Sequence, residues 1–497
     1  MNEKNPAEKK SAALKPATTK SAATKSAKPA AVKSAKSAGA KSTAAAKSTK
    51  STAAVSAAER FASLIRCPTV SLPTDKDTQQ DDVQSDVFDR FHAKLKKNYP
   101  AVFKACERIK VGRYPLVLRW KGKDSSASVV FAAHQDVVPA AEHADRWKYE
   151  PFAGTIAEGA VWGRGALDDK GSLCAIFEAC ESLAAENFTP SCDIYLCFSH
   201  NEETMGWGAR AVADELERRG VKPLFVLDEG GAVVEKPLPL MKGKAAMIGI
   251  TEKGVADVRF CARSTGGHAS TPPKQSPLGA LGAFASSVEK KSPLKTHMTS
   301  ALARMLSVLS RRMSFPLNVL FRFPHFFAPL IRAVFKASGG AARALVQTSC
   351  AFTMAQGSDA VNVLPASAFL TANLRISGGD TLDSVMDSLQ KRAAKYGIRA
   401  ELIRGHGASP ESVLNRGWDI LCKALDAQFP GVSAVPYIML AASDARHYCK
   451  LCPAVYRFTP FEMTDAQRGS VHGVDEHLEI ENFERGVRFY RDVMQSI

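Results

Sequence analysis

Apolar and polar positions along the chain alternate in the way that is typical of an α/β protein. Residues 57–65 and 87–99 show the 3.6-residue period of amphipathic helices, and the apolar run VVFAAHQDVV that follows them is typical of a buried strand. Helices and strands are then predicted in turn, at 172–185, 192–199, 208–219 and 223–227. This order predicts an α/β sheet with helices on both faces.

The pattern changes near residue 250, where TEKGVADVRFCARS alternates as a half-buried strand does. After a helix at 277–289 and a long irregular insertion, further elements are predicted at 369–376, 382–396 and 399–403. This block predicts a separate α+β domain of order β-α-β-β-α-β inserted into the first. The predicted domains are a tail at 1–52, a main domain in two parts at 53–250 and 409–497, and an inserted domain at 251–408.

The tail changes how the charge of the chain is interpreted. Residues 1–50 contain twelve Lys and two acidic residues, and they carry +10 of the net charge of +16. Because this low-complexity tail has almost no side chain large enough to bury, it is predicted to be disordered. Two interpretations stay open: an arm that contacts nucleic acid or another polyanion, and a solvated extension.

Composition and cysteine usage restrict the class of protein. The chain is 45% hydrophobic and 23% charged, which is a globular balance. Eleven cysteines at irregular spacing are typical of reduced thiols, and with no apolar stretch of a secretory signal in the tail they predict a cytoplasmic protein. The most apolar stretch, 315–335, is interrupted by Arg322 and Arg332, so no membrane span is predicted.

Acidic residues and histidines collect at the ends of the predicted strands. His134 and Asp136 stand two apart at the end of VVFAAHQDV, so both side chains leave the same face. Glu202 and Glu203 follow the next strand, and Asp228 ends the one after it. Because successive strand residues point to opposite sides, one glutamate of the pair can bind a metal while the other faces a substrate.

Two further clusters complete a candidate ligand set. Asp168 and Asp169 in WGRGALDDKG lie between a Gly-rich turn and a helix, which they could instead cap. His472 is followed by glycine in SVHGVDEH. Two histidines and three carboxylates suit two divalent ions of the zinc, manganese or cobalt type, provided that one carboxylate bridges them. A remaining carboxylate could then act as general base.

Several motifs together resemble those of the di-zinc aminoacylase/carboxypeptidase metallopeptidase family, which includes acetylornithine deacetylase, succinyl-diaminopimelate desuccinylase and carboxypeptidase S. They are AAHQDVVP, WGRGALDDKGS, FSHNEETMG, LDEGG, GGHAS, ANLRI and VHGVDE, in the family's order over residues 57–497. MSFPLNVLFRFPHFF, SDARHY and RFTPFEM are most similar to the carboxypeptidase S branch. The resemblance implies a zinc-peptidase-like catalytic domain, whose mixed sheet is flanked by helices, and an inserted α+β lid or dimerisation domain.

The resemblance also implies two metal ions, most often Zn²⁺ with Co²⁺ or Mn²⁺ as alternatives, and a ligand role for each matching residue. Asp168 matches the carboxylate that bridges the two ions. His134 and Asp228 match the remaining ligands of one ion. Glu203 and His472 match the remaining ligands of the other.

Two more matches concern proton transfer and the geometry of the centre. Glu202 matches the family's general base, and Asp136 matches the acid that orients the first histidine ligand. The peptide bond after Asp168 is expected to be cis.

Four residues match or suggest positions that bind the substrate. His268 in GGHAS matches a residue that assists the oxyanion, across a dimer or after lid closure. Asn362 and Arg375 match lid positions near the substrate, and Arg446 in SDARHY is a second candidate for a free carboxylate. For both arginines, an ordinary surface or structural ion pair stays open.

The predicted activity is metal-dependent hydrolysis of an amide bond next to a free carboxylate, in a dipeptide, a peptide C-terminus or an N-acyl amino acid. The apolar insertion at 305–335 favours hydrophobic substrates or packs within a lid or a dimer interface, and both interpretations stay open. The alternative is a non-catalytic metal-binding or nucleic-acid-associated protein that acts through its basic tail. Loss of a ligand or of the general base would favour that alternative, and every one of those positions is retained.

Overall fold

The alternating patterns form a large mixed sheet that is flanked by helices, as predicted. The computed structural model describes residues 55–71, 85–140, 145–238, 241 and 243–497. The predicted tail at 1–52 lies outside these residues, so its predicted disorder stays a prediction.

The helices in chain order are α1 (Ala57–Ile65), α2 (Ser85–Asn98), α3 (Pro100–Ala105), α4 (Lys170–Ala185), α5 (Gly208–Arg218), α6 (Pro277–Lys290), α7 (Ser300–Ser310), α8 (Leu317–Arg322), α9 (Ala328–Ser338), α10 (Gly340–Val346), α11 (Leu382–Ala394), α12 (Arg416–Gln428), α13 (Ala445–Tyr448), α14 (Asp465–Ser470) and α15 (Ile480–Ser496). The strands are β1 (Cys106–Lys110), β2 (Leu116–Trp120), β3 (Asp124–His134), β4 (Thr155–Ala157), β5 (Ala160–Trp162), β6 (Cys192–Ser199), β7 (Val226–Asp228), β8 (Val233–Glu235), β9 (Lys244–Glu252), β10 (Gly254–Arg263), β11 (Gly267–His268), β12 (Ser349–Gln356), β13 (Val363–Leu364), β14 (Ser367–Ile376), β15 (Arg399–Gly405), β16 (Ser433–Met439), β17 (Val455–Arg457), β18 (Glu462–Met463) and β19 (His477–Glu479).

Three parallel strands at the centre of the large sheet position the chemistry. The order along the sheet is β1-β2-β6-β3-β7-β17-β9-β8-β18, with β16 paired to β9. Strand β3 pairs in parallel with β6 on one side and with β7 on the other. Every residue of β6 is buried, as expected for a strand covered on both faces. The carboxyl ends of β6, β3 and β7 therefore meet at one edge of the sheet.

The last part of the chain returns to this sheet. Strands β16, β17 and β18 pair with β9, β7 and β8 respectively. The buried face of helix α15 belongs to the same core cluster as helix α4, and it includes Phe483, Phe489 and Val493. The core of the main sheet is thus built from both ends of the described chain.

A second, four-stranded antiparallel sheet has the order β12-β14-β10-β15. Its buried face packs with helices α6 and α11 in a separate core, which includes Phe260, Phe284, Leu374 and Leu389. The long elements of this block follow the predicted order β-α-β-β-α-β, with helices α7 to α10 between α6 and β12. The domain boundaries at 250 and 408 stay predictions.

Helices α7 to α10 form the insertion that the sequence leaves irregular. They contribute Leu302, Leu306, Phe321, Ile331 and Phe335 to the core of the large sheet rather than to the core of the small one. The insertion therefore packs on the body that carries the parallel strands. Within the part of the chain described above, no helix combines the length and the apolar character that crossing a membrane requires.

Candidate metal centre

The strand ends place four of the predicted site residues at one edge of the sheet. His134 is the last residue of β3 and Asp228 the last residue of β7, while Glu202 and Glu203 follow the end of β6 after a short turn. Because these three strands are parallel neighbours, their side chains meet at the carboxyl edge of the sheet, where α/β proteins bind ligands.

Asp168 lies between two imidazoles. Its Oδ1 is 2.8 Å from Nε2 of His134, and its Oδ2 is 3.1 Å from Nε2 of His472. Each oxygen of one carboxylate thus faces a different histidine, which is the arrangement that a bridging carboxylate needs. The alternative in which the aspartate pair caps helix α4 is not what the structure shows, since Asp169 occupies the N-cap position without a side-chain capping hydrogen bond.

Glu203 completes one side of the cluster. Its Oε2 lies 3.0 Å from Nε2 of His472, so this imidazole faces two carboxylates. One ligand atom each from His134, Asp168 and Glu203 lies within 4.8 Å of the others. The His472 side chain is 54% exposed, which leaves this side of the cluster open to solvent and to a substrate.

Asp136 is fully buried and ties the glutamate pair to the end of β3. Its carboxylate accepts hydrogen bonds from the hydroxyl of Ser71 at 2.6 Å and from the backbone N–H groups of Glu202 and Glu203 at 3.1 Å each. Its Oδ1 is 3.4 Å from Nδ1 of His134, and its backbone carbonyl is nearer, at 3.0 Å from the same nitrogen. Oxygen atoms of Asp136 therefore face Nδ1 of the imidazole, which leaves Nε2 directed at Asp168.

The loop that carries Asp168 is held from behind by Glu476. This fully buried carboxylate pairs with Arg164 at 2.7 Å and accepts the backbone N–H groups of Gly165, Leu167 and Asp168 at 2.8–3.1 Å. The Asp168–Asp169 peptide bond is cis, as the resemblance implies. The backbone that leads to the Asp168 carboxylate is thus held by a side chain outside the cluster.

Opposite charges control the pKa values around Asp168. Burial opposes its ionisation, but the imidazoles of His134 and His472 outweigh burial and hold the pKa of Asp168 below its usual range. The carboxylates of Asp168 and Glu203 raise the pKa of His472 to about 10. The carboxylates favour a positive charge beside them, and either a protonated imidazole or a bound divalent cation supplies it. This donor set is therefore suited to cation binding.

Two buried carboxylate oxygens point to the same conclusion. Burial raises the pKa of both Glu203 and Asp228 to about 7. Within the described part of the chain, neither Oε1 of Glu203 nor Oδ2 of Asp228 has a hydrogen-bond partner, although both atoms are buried. An unsatisfied buried carboxylate oxygen is costly, and a cation would satisfy it. The residues present therefore fit a site for divalent cations.

Glu202 differs from its neighbour in the environment of its carboxyl group. Burial raises its pKa well above the usual value, and the charges of Asp444, Glu203 and Asp168 raise it further against the opposing effect of His134. A carboxyl group whose pKa is raised in this way holds a proton more readily than a free glutamate does. Such a group is suited to accepting a proton.

The substrate-binding candidates lie outside this cluster. His268 is exposed, and its Nδ1 lies 2.7 Å from the hydroxyl of Ser270 in its own loop. Strand β11, which ends at His268, pairs with β13, and the carbonyl of Asn362 accepts the backbone N–H of Ala269 at 3.0 Å. The structure therefore brings His268 and the Asn362 segment together, and among the described residues no hydrogen bond or ion pair links either side chain to the cluster.

The two arginine candidates share a neighbourhood. Burial lowers the pKa of His406, and the positive charges of Arg446 and Arg375 lower it further. Arg446 donates to the carbonyl of Ser443, and the carboxyl of Asp444 in the same turn influences Glu202. This basic neighbourhood and the carboxylate cluster are thus connected through the SDARHY segment.

Three acidic residues belong to the site although no role was predicted for them. Burial raises the pKa of Asp444 and of Glu229, which lie near Asp228 and Asp168, and Glu476 holds the Asp168 loop. Each lies inside a motif quoted above: SDARHY, LDEGG and VHGVDE. Spacing in the sequence does not distinguish these three residues from their neighbours, because the position of a carboxylate behind a loop depends on the fold.

Comparisons with known proteins identify the family of the chain. The family model of Peptidase family M20/M25/M40 matches residues 130–496. A probable carboxypeptidase S-like 2 from Dictyostelium discoideum is 31% identical over 448 residues, which cover 89% of this chain and 85% of that protein. The N-fatty-acyl-amino acid synthase/hydrolase PM20D1 of Mus musculus is 30% identical over 450 residues, covering 89% of this chain and 88% of that protein.

Solved structures show the same fold. A metallo-carboxypeptidase of the M20 family from Sulfolobus solfataricus superposes with a TM-score of 0.65 at 15% identity, covering 88% of this chain and 97% of that chain. Human carnosine dipeptidase 1 superposes with a TM-score of 0.60 at 13% identity, covering 88% and 95% respectively. The predictions of a hydrolytic metalloenzyme and of its fold class are confirmed, and the chain belongs to Peptidase family M20/M25/M40.

Proposed function

We propose that this protein hydrolyses an amide bond next to a free carboxylate, with two divalent metal ions held at the strand ends. The observation that carries the proposal is the position of Asp168, with one oxygen 2.8 Å from the imidazole of His134 and the other 3.1 Å from that of His472. A carboxylate placed between two imidazole ligands is what a pair of adjacent ions requires.

The proposed ligands divide into two sets around this bridge. His134 and Asp228 would hold one ion, and Glu203 and His472 would hold the other. Divalent ions of the zinc type lower the pKa of water and polarise a carbonyl oxygen when they are bound. The mixed nitrogen and oxygen donors suit Zn²⁺, and also Co²⁺ or Mn²⁺.

Glu202 would take the proton of the attacking water and pass it to the leaving amine. Its raised pKa supports this role, because it increases the affinity of the carboxylate for a proton. Asp136 would position the glutamate pair relative to the imidazole of His134. It accepts the backbone N–H groups of both Glu202 and Glu203, and it faces Nδ1 of His134.

The substrate carboxylate would bind on the basic side of the site. Arg446 and Arg375 both influence His406, and guanidinium groups bind carboxylates through two parallel hydrogen bonds. Such an anchor would select molecules with a free carboxylate beside the scissile amide. His268 and Asn362 would contact the scissile carbonyl or the acyl side after the inserted domain closes or in a dimer.

Within this class, two substrate types are supported by the relatives. One relative is named for N-fatty-acyl amino acids and another as a probable carboxypeptidase. Phe321, Ile331 and Phe335 of the apolar insertion are buried in the core of the main body, so these residues serve packing. From the relatives we therefore propose N-acyl amino acids with long acyl chains and peptides with hydrophobic C-termini as the first substrates to test.

The decisive experiment is a hydrolysis panel with added Zn²⁺ or Co²⁺. It compares an N-oleoyl amino acid, N-acetyl amino acids and a Gly-Leu-type dipeptide, each with the wild type and with Glu202→Gln. We expect turnover of at least one substrate, and a fall of about 10²–10⁴-fold in the variant with metal content unchanged. Turnover that survives both the substitution and chelation, or a metal-loaded protein inactive on every substrate, would contradict the proposal.

Three assignments about assembly and location complete the proposal. A homodimer through the inserted domain would supply His268 from a second copy, and light scattering tests it. A contact between the Lys-rich tail and a polyanion is tested by removing residues 1–52, which should weaken salt-sensitive nucleic-acid binding and leave turnover unchanged. A cytoplasmic location is tested by cell fractionation.

A further inference from the structure

The insertion between the two sheets exposes an apolar patch. Phe315 and Phe326 are 81% and 80% exposed, although phenylalanine is usually buried. The other large members of the patch are about half exposed. We define the apolar patch as Phe315, Val319, Phe323, Phe326, Leu330 and Val334.

Helix α9 is apolar on two faces. Ile331 and Phe335 are buried in the core of the large sheet. Leu330 and Val334, one turn apart, are 52% and 49% exposed on another face of the same helix. A helix that is apolar on both faces is typical of one that is covered on both faces, so the exposed stripe lacks a partner within the described part of the chain.

Members of the patch follow one another at the end of helix α8. Val319 lies one helical turn before Phe323, which caps helix α8, and Phe326 follows before helix α9 begins. Phe323 and Phe326 line one open groove of about 600 Å³, and Val319 lines a neighbouring groove. Arg322 lines both grooves, so it connects this part of the patch.

The segment that carries the patch has charge of one sign, and Arg304 in the groove pairs with Glu411 of a later segment at 3.6 Å. From Lys290 to Arg343 the sequence contains ten Lys and Arg and no Asp or Glu. Among the described residues no carboxylate pairs with Arg311, Arg322 or Lys336, all of which are exposed. The guanidinium of Arg322 lies 5.8 Å from the ring centroid of Phe323, so positive charge borders the patch directly.

We propose that the apolar patch docks the protein onto a membrane surface that carries anionic lipids. Exposed aromatic and aliphatic side chains bordered by unpaired cations are the combination that binds the interface between headgroups and acyl chains. A second copy of this chain is a poorer partner, because a symmetric interface would bring two such cationic segments together. This inference does not depend on which amide the enzyme cleaves.

The first test measures binding of the full chain to vesicles of phosphatidylcholine, with or without about 30% phosphatidylserine. The test variant replaces Phe315, Phe323 and Phe326 by serine. The matched control replaces three exposed apolar residues elsewhere by serine, at Met354, Leu402 and Val413. Thermal unfolding of both variants checks that they fold like the wild type.

We expect the wild type and the control to bind anionic vesicles. The affinity of the test variant for these vesicles should fall by about tenfold or more. Because the Lys-rich tail can also attract anionic lipid, binding is compared at low salt and at about 0.5 M salt. Tail contacts are lost at high salt, whereas the contribution of the apolar patch should persist.

The second test reports insertion directly. Phe326→Trp should be quenched by brominated lipid in the vesicles, whereas Met354→Trp, at a position that is also well exposed, should not be. Equal quenching at both positions would contradict docking through the patch.

Four other outcomes would overturn the proposal. The first is that the wild type does not bind vesicles. The second is that the test variant still binds vesicles and that high salt abolishes this binding, which would identify the tail as the lipid contact. The third is a change of oligomeric state in the test variant without a change in vesicle binding. The fourth is a higher KM for a long-chain acyl substrate in lipid-free solution with vesicle binding unchanged, which would make the patch an acyl-chain site.

Discussion

Single carboxylates determine how well this centre is organised. Glu476 does not face the cluster, yet it accepts three backbone N–H groups around Asp168 and pairs with Arg164. Both members of that pair are almost completely buried, at 3% and 0% exposed. The loop that presents the Asp168 carboxylate therefore depends on one buried ion pair.

Replacing Glu476 by glutamine should lower the free energy of unfolding by about 3 kcal/mol, because the Arg164 guanidinium would stay buried without a carboxylate. Urea unfolding of the metal-free protein measures the change. Glu481→Gln is the control, since this glutamate pairs with Arg485 but is 83% exposed, and its loss should cost less than about 0.5 kcal/mol. Equal losses in the two variants would argue against a special role for Glu476.

Glu252 and Arg457 form a second buried pair, next to the point where the chain leaves the large sheet for the small one. Their closest atoms are 2.8 Å apart and both side chains are 0% exposed. We expect Arg457→Met to destabilise the protein by about 3–5 kcal/mol, because Glu252 would remain as an unpaired buried charge. The double variant Glu252→Gln/Arg457→Met should recover part of this loss. A double variant as unstable as the sum of both single variants would show that the pair is not coupled.

The sequence predicts the residues at strand ends better than the residues behind them. His134 and Asp228 stand at the ends of apolar runs, so their common edge follows from strand parity and sheet topology. Glu476 and Asp444 have no such signal, because their roles arise from burial next to segments that are distant in sequence. The predicted substrate residues His268 and Asn362 lie on the small sheet, and their relation to the cluster depends on how the parts of the molecule move or assemble.

At the scale of the element, helices and strands with a clear period are predicted closely. The predicted helix at 57–65 coincides with α1, and the predicted strand at 192–199 coincides with β6. The pattern of the apolar stretch at 315–335 does not predict the helices within it, since α9 carries apolar residues on both its buried and its exposed faces. Periodicity identifies a helix only when one face is polar.

Glycine placement next to Asp228 gives a prediction for one turn. A Cβ added at Gly231 would lie 1.7 Å from the carbonyl oxygen of Met247, so no other residue fits without a shift of the backbone. We expect Gly231→Ala to lower the unfolding midpoint and to weaken metal binding, because the strand that ends at Asp228 would be displaced.

The matched control is Gly282→Ala in helix α6. There a Cβ would meet no described atom within 4 Å, and alanine favours a helix interior by about 0.5–1 kcal/mol. We expect this variant to raise stability slightly while metal binding is unchanged. If both glycine variants behaved alike, the close approach at Gly231 would not be what constrains the turn.

At the scale of the whole molecule, two cores and one cluster of charges explain why metal and stability should be linked. The large core is built from both ends of the described chain, and the proposed ligands come from β3, β7, the turn after β6, the Asp168 loop and the segment after α14. Ions that bind this cluster connect segments that are far apart in sequence. They should therefore stabilise the folded chain and not just one loop.

The corresponding prediction is a metal-dependent unfolding curve. An ion that binds only the folded state at about 100 times its Kd adds about 2.7 kcal/mol of stability, so Zn²⁺ should raise the Tm and a chelator should lower it. Asp168→Asn should remove most of this shift, because it replaces the carboxylate that lies between His134 and His472 by a neutral amide. The exposed substitution Glu481→Gln should keep the whole shift. A shift of equal size in Asp168→Asn would mean that Zn²⁺ stabilises the protein from a site other than this cluster.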